Sequence, residues 1–458
     1  MTLHAMMVRN VFYPLALAKA GESVTLRYHR EFERTQYLPA DELHALRWRR
    51  LQALLRHAYA SCPFYHARMD AVGLCPATLR DESDLRRLPP LEKSDIQQHG
   101  SDLIARDWPK RDLIRNQTGG STGTPITFFL SRDRKCSRAA ATVRHNRWAG
   151  YDVGDSAAVL WGAPRDRPVE GWRSRLRSWT LSEPTWLDAA HLTEASLRGF
   201  RETLCRQRPE ILQAYARVIV LFARYLEQHG LDVPRPRGII TSAEVLEDAD
   251  RALVERVFGC RVFNRYGCRE VSVIASECEA HDGLHLMAEG LFVEIETPTG
   301  PAKPGEVGSV LVTDLLNHAM PLIRYRIGDM AALACGTCSC GRSLPRLEKI
   351  AGRVTDFLVG DAGQLVSGVF LATYVVAQRP SLGQVQIVQG RAGAVTYRIK
   401  ASERFDPIAD AEYLRRATRE HLGPQAECDL EMVDDLPVSA SGKFLFSRST
   451  VTPAFLKA

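Results

Sequence analysis

The sequence predicts an α/β protein, with a large N-terminal α/β domain over residues 1–350 and a small C-terminal α+β domain over residues 351–458. Three observations carry that expectation. From about residue 150, short apolar runs alternate with segments of helical periodicity, the pattern of an open sheet covered by helices. Beyond residue 284 strand-like segments dominate, separated by turn clusters such as Thr297–Gly305, which holds three prolines and two glycines. The last hundred residues read as strand, strand, helix and strand, enough to enclose a small core of their own.

In chain order, residues 41–60 set Leu43, Leu46, Leu51, Leu54 and Leu55 at helical spacing, with Arg47, Arg49 and Arg50 elsewhere on the surface. Ala157–Trp161 reads as a buried strand and Ala216–Gln228 as a helix closed by Gly230. Gly238–Thr241, Leu246–Phe258 and Arg261–Asn264 continue as strand, helix and strand. In the C-terminal unit, Gln384–Val388 and Val395–Lys400 read as paired strands, and Cys428–Val433 as a third. Pro407–Leu422 reads as a helix, with Asp406 as N-cap and Gly423 past its end. The turn-prone stretch Ala351–Asp356 is the expected hinge between the two domains.

Bulk properties narrow the function classes. At 458 residues the chain exceeds one ordinary domain. Hydrophobic residues at 45% and charged residues at 25% are ordinary for a globular protein. The 60 basic residues exceed the 54 acidic ones by 6, a mild excess spread along the chain that would help draw in an anion such as ATP. Basic runs with interleaved aromatics are missing, so no nucleic-acid partner is expected. Eleven cysteines, most of them scattered singly, favour a reducing compartment. Val11–Ala20 is apolar but short, and it contains Pro14 and Lys19, which argues against a signal peptide. No stretch approaches the roughly 18–20 apolar residues that span a bilayer. A soluble, cytoplasmic protein is the expectation.

The strongest local motif is Asn116-Gln117-Thr118-Gly119-Gly120-Ser121-Thr122-Gly123-Thr124-Pro125. Its glycines let backbone amides approach phosphate oxygens, and Thr118, Ser121, Thr122 and Thr124 add hydroxyl donors. It is not a Walker A loop, because the lysine after the final glycine is missing. Farther on, Tyr266-Gly267-Cys268-Arg269-Glu270 directly follows the strand at Arg261–Asn264, offering a ring to stack on adenine and a carboxylate to hold Mg²⁺. Arg324-Tyr325-Arg326-Ile327-Gly328-Asp329 offers an aspartate able to accept both ribose hydroxyls, Gly352-Arg353 a cation, and Ser441-Gly442-Lys443 a second cation on a turn near the C-terminus.

In this order and spacing the motifs resemble the adenylate-forming superfamily, and within it the phenylacetate–CoA ligase family and its CapK-like branch. The resemblance covers nearly the whole chain. It includes Ser61-Cys62-Pro63-Phe64-Tyr65, Leu88-Pro89-Pro90-Leu91-Glu92-Lys93 and Leu436-Pro437-Val438-Ser439-Ala440-Ser441-Gly442-Lys443. It implies a two-step reaction: ATP and a carboxylate, expected to be an aryl or small organic acid, give an acyl-adenylate, and a thiol, by default coenzyme A, then displaces AMP. By the same resemblance Thr118–Thr124 grip the β- and γ-phosphates and Glu270 binds Mg²⁺. Tyr266, Gly267 and Ser242-Ala243-Glu244 frame the adenine, Asp329 and Arg353 hold the ribose, and Lys443 reaches in from a mobile small domain. Tyr215 lies in a segment that resembles the one beside the acyl pocket, although an ordinary buried tyrosine fits its position equally well. The implied partners are a small carboxylic acid and CoA or a carrier protein, and family members are often dimers.

Two features stand apart. Typical phenylacetate ligases carry two aspartates after the Gly-Arg pair, then a glycine-rich segment ending in Asn-hydrophobic-Pro. Here Thr355 takes the hinge aspartate's place and that ending is missing, so adenylation is better supported than CoA transfer. A carrier-protein thiol, an amine or a hydroxyl is the alternative acceptor, and a non-catalytic nucleotide-binding homologue the rival of another class. The second feature is a set of metal-ligand residue types, Cys278, His285, Cys338 and Cys340, with His281 or Cys335 as substitutes, suited to tetrahedral Zn²⁺. Some relatives pair similar segments around a metal that looks structural. Cys268 reads as a packing residue and not a nucleophile, since no base is identifiable.

Overall fold

The computed structural model describes residues 2–117, 126–161, 179–189, 191–244, 246–297, 299–350, 357–436 and 446–451. A mixed twelve-stranded sheet dominates it. One half is parallel: Thr185–Asp188, Ala157–Trp161, Ile211–Tyr215, Gly238–Ser242 and Arg261–Cys268 lie side by side in that order. The other half is antiparallel and runs from Ser272–Glu277 through Leu284–Leu286, Arg346–Ile350, Tyr325–Leu333, Val307–Asp314 and Leu291–Thr297 to the short edge strand Gly300–Pro301.

The strand Arg261–Cys268 is the seam. Arg261–Asn264 pair in parallel with Gly238–Thr241, and Arg265–Cys268 then pair antiparallel with Ser272–Ser276. The expected strand at Arg261–Asn264 is therefore only the first half of a longer one, and Tyr266-Gly267-Cys268 lies within it instead of following it. Apolar alternation ends at Asn264, although Tyr266 and Cys268 in the second half still pack on the core shared by the N-terminal helices and the antiparallel half-sheet. Gly267 is required there, since a Cβ would collide with the Ser272 carbonyl across the hairpin.

Other boundaries shift by a few residues. The helix expected at Leu246–Phe258 runs Asp248–Phe258 behind Glu247. The one expected at Pro407–Leu422 runs Ala409–Leu422, and the Asp406 carboxylate accepts from the amides of Ile408 and Ala409 at 2.9 and 3.0 Å. Ala157–Trp161 and Ala216–Gln228 form as expected.

Three large cores result. The first joins the N-terminal helices, including Ala40–Ser61, to the antiparallel half-sheet through Leu51, Leu54, Leu55, Phe128, Val312 and Tyr325. The second packs Phe200, Phe222, Leu226 and Phe258 from the covering helices on the parallel strands. In the third, Ile387, Tyr397, Ile399 and Leu414 belong to a four-stranded sheet and its helix near the C-terminus. Leu365–Ser367 also pairs with His191–Leu192, which ties the C-terminal region back to the parallel half. Ala351–Asp356, the expected hinge, lies outside the described residues.

Candidate active site

Parallel strands present their carboxyl ends along one edge, and where strand order or direction changes a crevice opens there. Trp161, Tyr215 and Ser242 are the last residues of three adjacent parallel strands. The Trp161 and Tyr215 rings lie 4.0 Å apart, centroid to centroid, at 34°. Tyr215 is opposite Ser242 in the ladder and also N-caps the helix Ala216–Gln228, so its backbone is fixed on both sides.

The turn after Ser242 is held tightly. Ala243 takes a left-handed conformation, φ 73°, which costs a non-glycine residue about 1 kcal/mol or more. The Glu244 carboxylate accepts from the Arg217 amide at 2.8 Å, satisfying one of the open donors at that helix's first turn. Carboxylate and helix end thus lock the turn beside Tyr215.

Across the seam, the Tyr266 hydroxyl donates to Asp329 at 3.0 Å. Two motifs 63 residues apart therefore converge on one point. The Tyr325 hydroxyl donates to Glu270 at 2.8 Å, and both residues are buried. The backbone of Tyr325's neighbours pairs with Leu91: the Leu91 amide donates to the Arg324 carbonyl and the Arg326 amide to the Leu91 carbonyl, both at 3.0 Å. Arg324, fully buried, bridges Glu294 and Glu296 and donates to the carbonyls of Arg86 and Leu88. The Leu88–Lys93 motif is thus the brace that holds the Tyr325–Asp329 strand in place. Arg138 reaches from the helix Arg132–Trp148 to donate to the Arg269 carbonyl at 2.7 Å, which fixes the backbone next to Glu270. Burial and the neighbouring Glu270 carboxylate push the Cys268 thiol well above its ordinary value, so it stays protonated and is no nucleophile.

Thr118, Gly119, Gly120, Ser121, Thr122, Gly123 and Thr124 lie outside the described residues, as do Arg353 and Lys443. The strands that flank the loop are described: Ile114–Gln117 and Thr127–Leu130 pair antiparallel, Gln117 opposite Thr127. Asn317 donates to the Phe129 carbonyl at 2.9 Å and ties that hairpin to the antiparallel half.

A second constellation lies away from this edge. The ligand atoms of Cys278, His285, Cys338 and Cys340 all fall within 4.8 Å of one another. Cys278 and Cys338 sulfurs are 3.7 Å apart, far beyond a disulfide bond of about 2.05 Å. That is close to the roughly 3.8 Å that two sulfurs span on a tetrahedral zinc with bonds of about 2.3 Å. Cys340 Sγ lies 3.2 Å from His285 Nε2, and His285 Nδ1 is 3.2 Å from the Leu344 carbonyl, which fixes Nε2 as the inward, ligating nitrogen. Burial pushes the His285 imidazole down to about 4, keeping it in the neutral form that binds metal. Although burial opposes it, hydrogen bonds from the Arg342 backbone and side chain hold the Cys340 thiol below its usual value. The two substitutes are placed elsewhere: His281 pairs with Glu277 at 3.4 Å and its ring packs on Phe263, while Cys335 is exposed.

Tyr325 and Arg138 make contacts that the motif reading did not assign. Tyr325 stands inside a quoted motif in which only Asp329 was given a role, and Arg138 has no local signal, since its contact depends on a helix crossing the seam.

Comparison with known proteins fits this geometry. Residues 358–449 match the CapK C-terminal domain family. The chain is 27% identical to phenylacetate–coenzyme A ligase of Thermus thermophilus, over 84% of this chain and 89% of that one. It is 23% identical to protein CapK of Staphylococcus aureus, over 93% of each. A solved 2-hydroxyisobutyryl-CoA ligase, in complex with 2-HIB-AMP and CoA in its thioesterification state, shares the fold with a TM-score of 0.65 at 19% identity, over 91% of this chain and 92% of that one. No helix among the described residues is long and apolar enough to cross a membrane. The chain is a homologue of the phenylacetate–coenzyme A ligases and of CapK, built on the mixed α/β fold of the adenylate-forming CoA ligases.

Proposed function

We propose that this protein activates a carboxylic acid with ATP and passes the acyl group to a thiol, by default that of coenzyme A. In the first step a carboxylate oxygen attacks the α-phosphorus, giving acyl-AMP and pyrophosphate. In the second the thiolate attacks the acyl carbon and AMP leaves with the bonding electrons. The observation that carries the reading is the convergence of Tyr266 and Asp329 at the carboxyl edge of the parallel strands, in a homologue of CoA ligases.

The residue roles follow from charge. Both transition states crowd anions, so fixed donors and cations supply most of the stabilisation. Thr118–Thr124 would cradle phosphates, and Glu270 would hold Mg²⁺, whose charge offsets theirs. Tyr266, Gly267 and the Ser242–Glu244 backbone would frame the adenine, Asp329 and Arg353 the ribose, and Tyr215 with Trp161 the acid, consistent with an aryl or small organic substrate. Lys443 would enter from a C-terminal domain beginning near residue 351 and withdraw for the second step. Cys278, His285, Cys338 and Cys340 would hold a structural Zn²⁺, the donor set and spacing being those of a closed tetrahedral site.

A second reading, transfer to a carrier-protein thiol, an amine or a hydroxyl, rests on Thr355 and the missing Asn-hydrophobic-Pro segment. ATP–pyrophosphate exchange against aryl, fatty, hydroxy and amino acids, with and without CoA, tests both. Exchange with one acid class is expected, and AMP release that CoA accelerates identifies the acceptor. A folded, metal-replete preparation that exchanges with no acid class counts against the ligase reading.

A further inference from the structure

Arg134, Arg138 and Arg144 reach into the protein from the helix Arg132–Trp148, and two of the three meet a carboxylate. Arg134 pairs with Asp314 at 2.8 Å and uses its other nitrogens on the Ser137 hydroxyl and the Val271 carbonyl, both at 3.0 Å. Arg144 pairs with Glu289 at 2.5 Å. Arg138 is different. Its Nη2 donates to the Arg269 carbonyl at 2.7 Å, but its Nη1 is enclosed and has no hydrogen-bond partner. No carboxylate among the described residues forms an ion pair with it.

This is an unfavourable place for an unmatched cation. Arg134 and Arg138 are four residues apart on one helix face, where like charges repel. Burial and the neighbouring Arg134 push the Arg138 guanidinium down to about 10, and at neutral pH it is still charged. Asp314, the carboxylate it feels most, is already bound to Arg134. Glu270, the next, accepts from the Tyr325 hydroxyl. An enclosed charged donor without a protein partner is costly, and a fold that retains one beside a crevice marks it as kept for a ligand.

We infer that Arg138 binds phosphate, its Nη1 donating to oxygens of the β- and γ-phosphates of ATP and of the pyrophosphate that leaves. The inference rests on the ligase reading. The carbonyl that Arg138 holds belongs to the peptide leading into Glu270, so the guanidinium lies beside the residue assigned to Mg²⁺. Mg²⁺ offsets only part of a triphosphate's charge, and Thr118–Thr124 contains no Lys or Arg to offset the rest. The helix leaves the strand Thr127–Leu130 through Ser131, so this cation and the hydroxyls of that loop come from one stretch of chain. A planar fork suits the task, one nitrogen anchored on the protein and another left for a phosphate oxygen.

Calorimetric titration of the full chain with Mg²⁺ and pyrophosphate tests it. Arg138→Met should weaken binding about 10- to 100-fold, as loss of a hydrogen bond between charged groups does. Arg138→Lys, a point charge without the fork, should fall between. Without pyrophosphate, Arg138→Met should melt at or above the wild-type temperature, because an unmatched enclosed charge is gone. A merely structural role, exerted through the Arg269 carbonyl, gives the opposite pattern: a lower melting temperature and unchanged affinity. That pattern, a folded Arg138→Met protein that binds as tightly as the wild type, or a wild type that binds no pyrophosphate would each overturn the inference. The titration contains no acid substrate, so its failure is read separately from a failure to exchange with any acid, which counts against the ligase reading itself.

Discussion

Tyr325→Phe removes one hydroxyl from beneath Glu270 and leaves the ring that fills the space. Tyr325 is 0% exposed and Glu270 7%, and the bond between them is 2.8 Å long. A hydrogen bond to a charged group is worth about 1.5–3 kcal/mol, and burial of both partners spares it most solvent screening. If Glu270 holds Mg²⁺, that energy fixes the carboxylate's orientation, and its loss should weaken metal-dependent exchange about 10- to 150-fold. The assay is ATP–pyrophosphate exchange titrated with Mg²⁺, where the variant should need more metal. Tyr65→Phe is the matched control: Tyr65 is also buried, and its hydroxyl bonds the Pro321 carbonyl and the Ile323 amide, both at 3.0 Å. It should lose stability and keep its Mg²⁺ dependence. A folded Tyr325→Phe enzyme with wild-type rate and Mg²⁺ dependence would refute the placement of Glu270 at the metal.

Four further outcomes are expected. Lys443→Ala should cut exchange by about 10²- to 10³-fold, as the loss of a cation aimed at developing charge does, and a variant that adenylates like the wild type removes that role. Purified protein should carry about one zinc per chain by mass spectrometry; Cys340→Ser should lose it, and chelation should lower the melting temperature of the wild type but not of the variant. Glu33 is a stability switch in acid. Although burial opposes ionisation, His29 and Arg147, at 3.3 and 2.9 Å, hold its carboxyl at about 2 against an ordinary 4.5. A depressed carboxylate stabilises the fold above the unfolded value and loses that contribution as pH falls from 4.5 toward 2. After discounting for its 30% exposed side chain, Glu33→Gln should cost about 1–2 kcal/mol at pH 7 and little near pH 2, read from urea midpoints. The pair Arg144–Glu289 is 0% exposed on both sides at 2.5 Å, with Thr35 donating to the same Glu289 oxygen. Arg144→Met leaves that carboxylate uncompensated, and denaturant titration should show a loss of about 3–5 kcal/mol.

Much of this was legible along the chain. Ala157–Trp161 and Ala216–Gln228 came from apolar periodicity, because local pattern and burial agree there. The four metal-ligand candidates came from residue type, since few other roles suit two cysteines one residue apart with a distant cysteine and histidine. Less legible was the strand Arg261–Cys268, whose second half changes pairing partner, so that apolar periodicity ends before the strand does. Also not legible was the anchoring of the Ser242–Glu244 turn, where the Glu244 carboxylate is held at the Arg217 amide, a contact 27 residues away in sequence.

By itself, then, the sequence determined the chemistry on offer: hydroxyls and glycines for phosphate, carboxylates for metal and ribose, a terminal lysine, thiols and imidazole, and the elements that carry them. The tertiary structure decided which of them meet. Tyr266 reaches Asp329 and Tyr325 reaches Glu270 only because a sheet changes from parallel to antiparallel along one strand. Strand order and register are settled by packing between distant segments, and no local stretch of sequence encodes a partner lying sixty residues away.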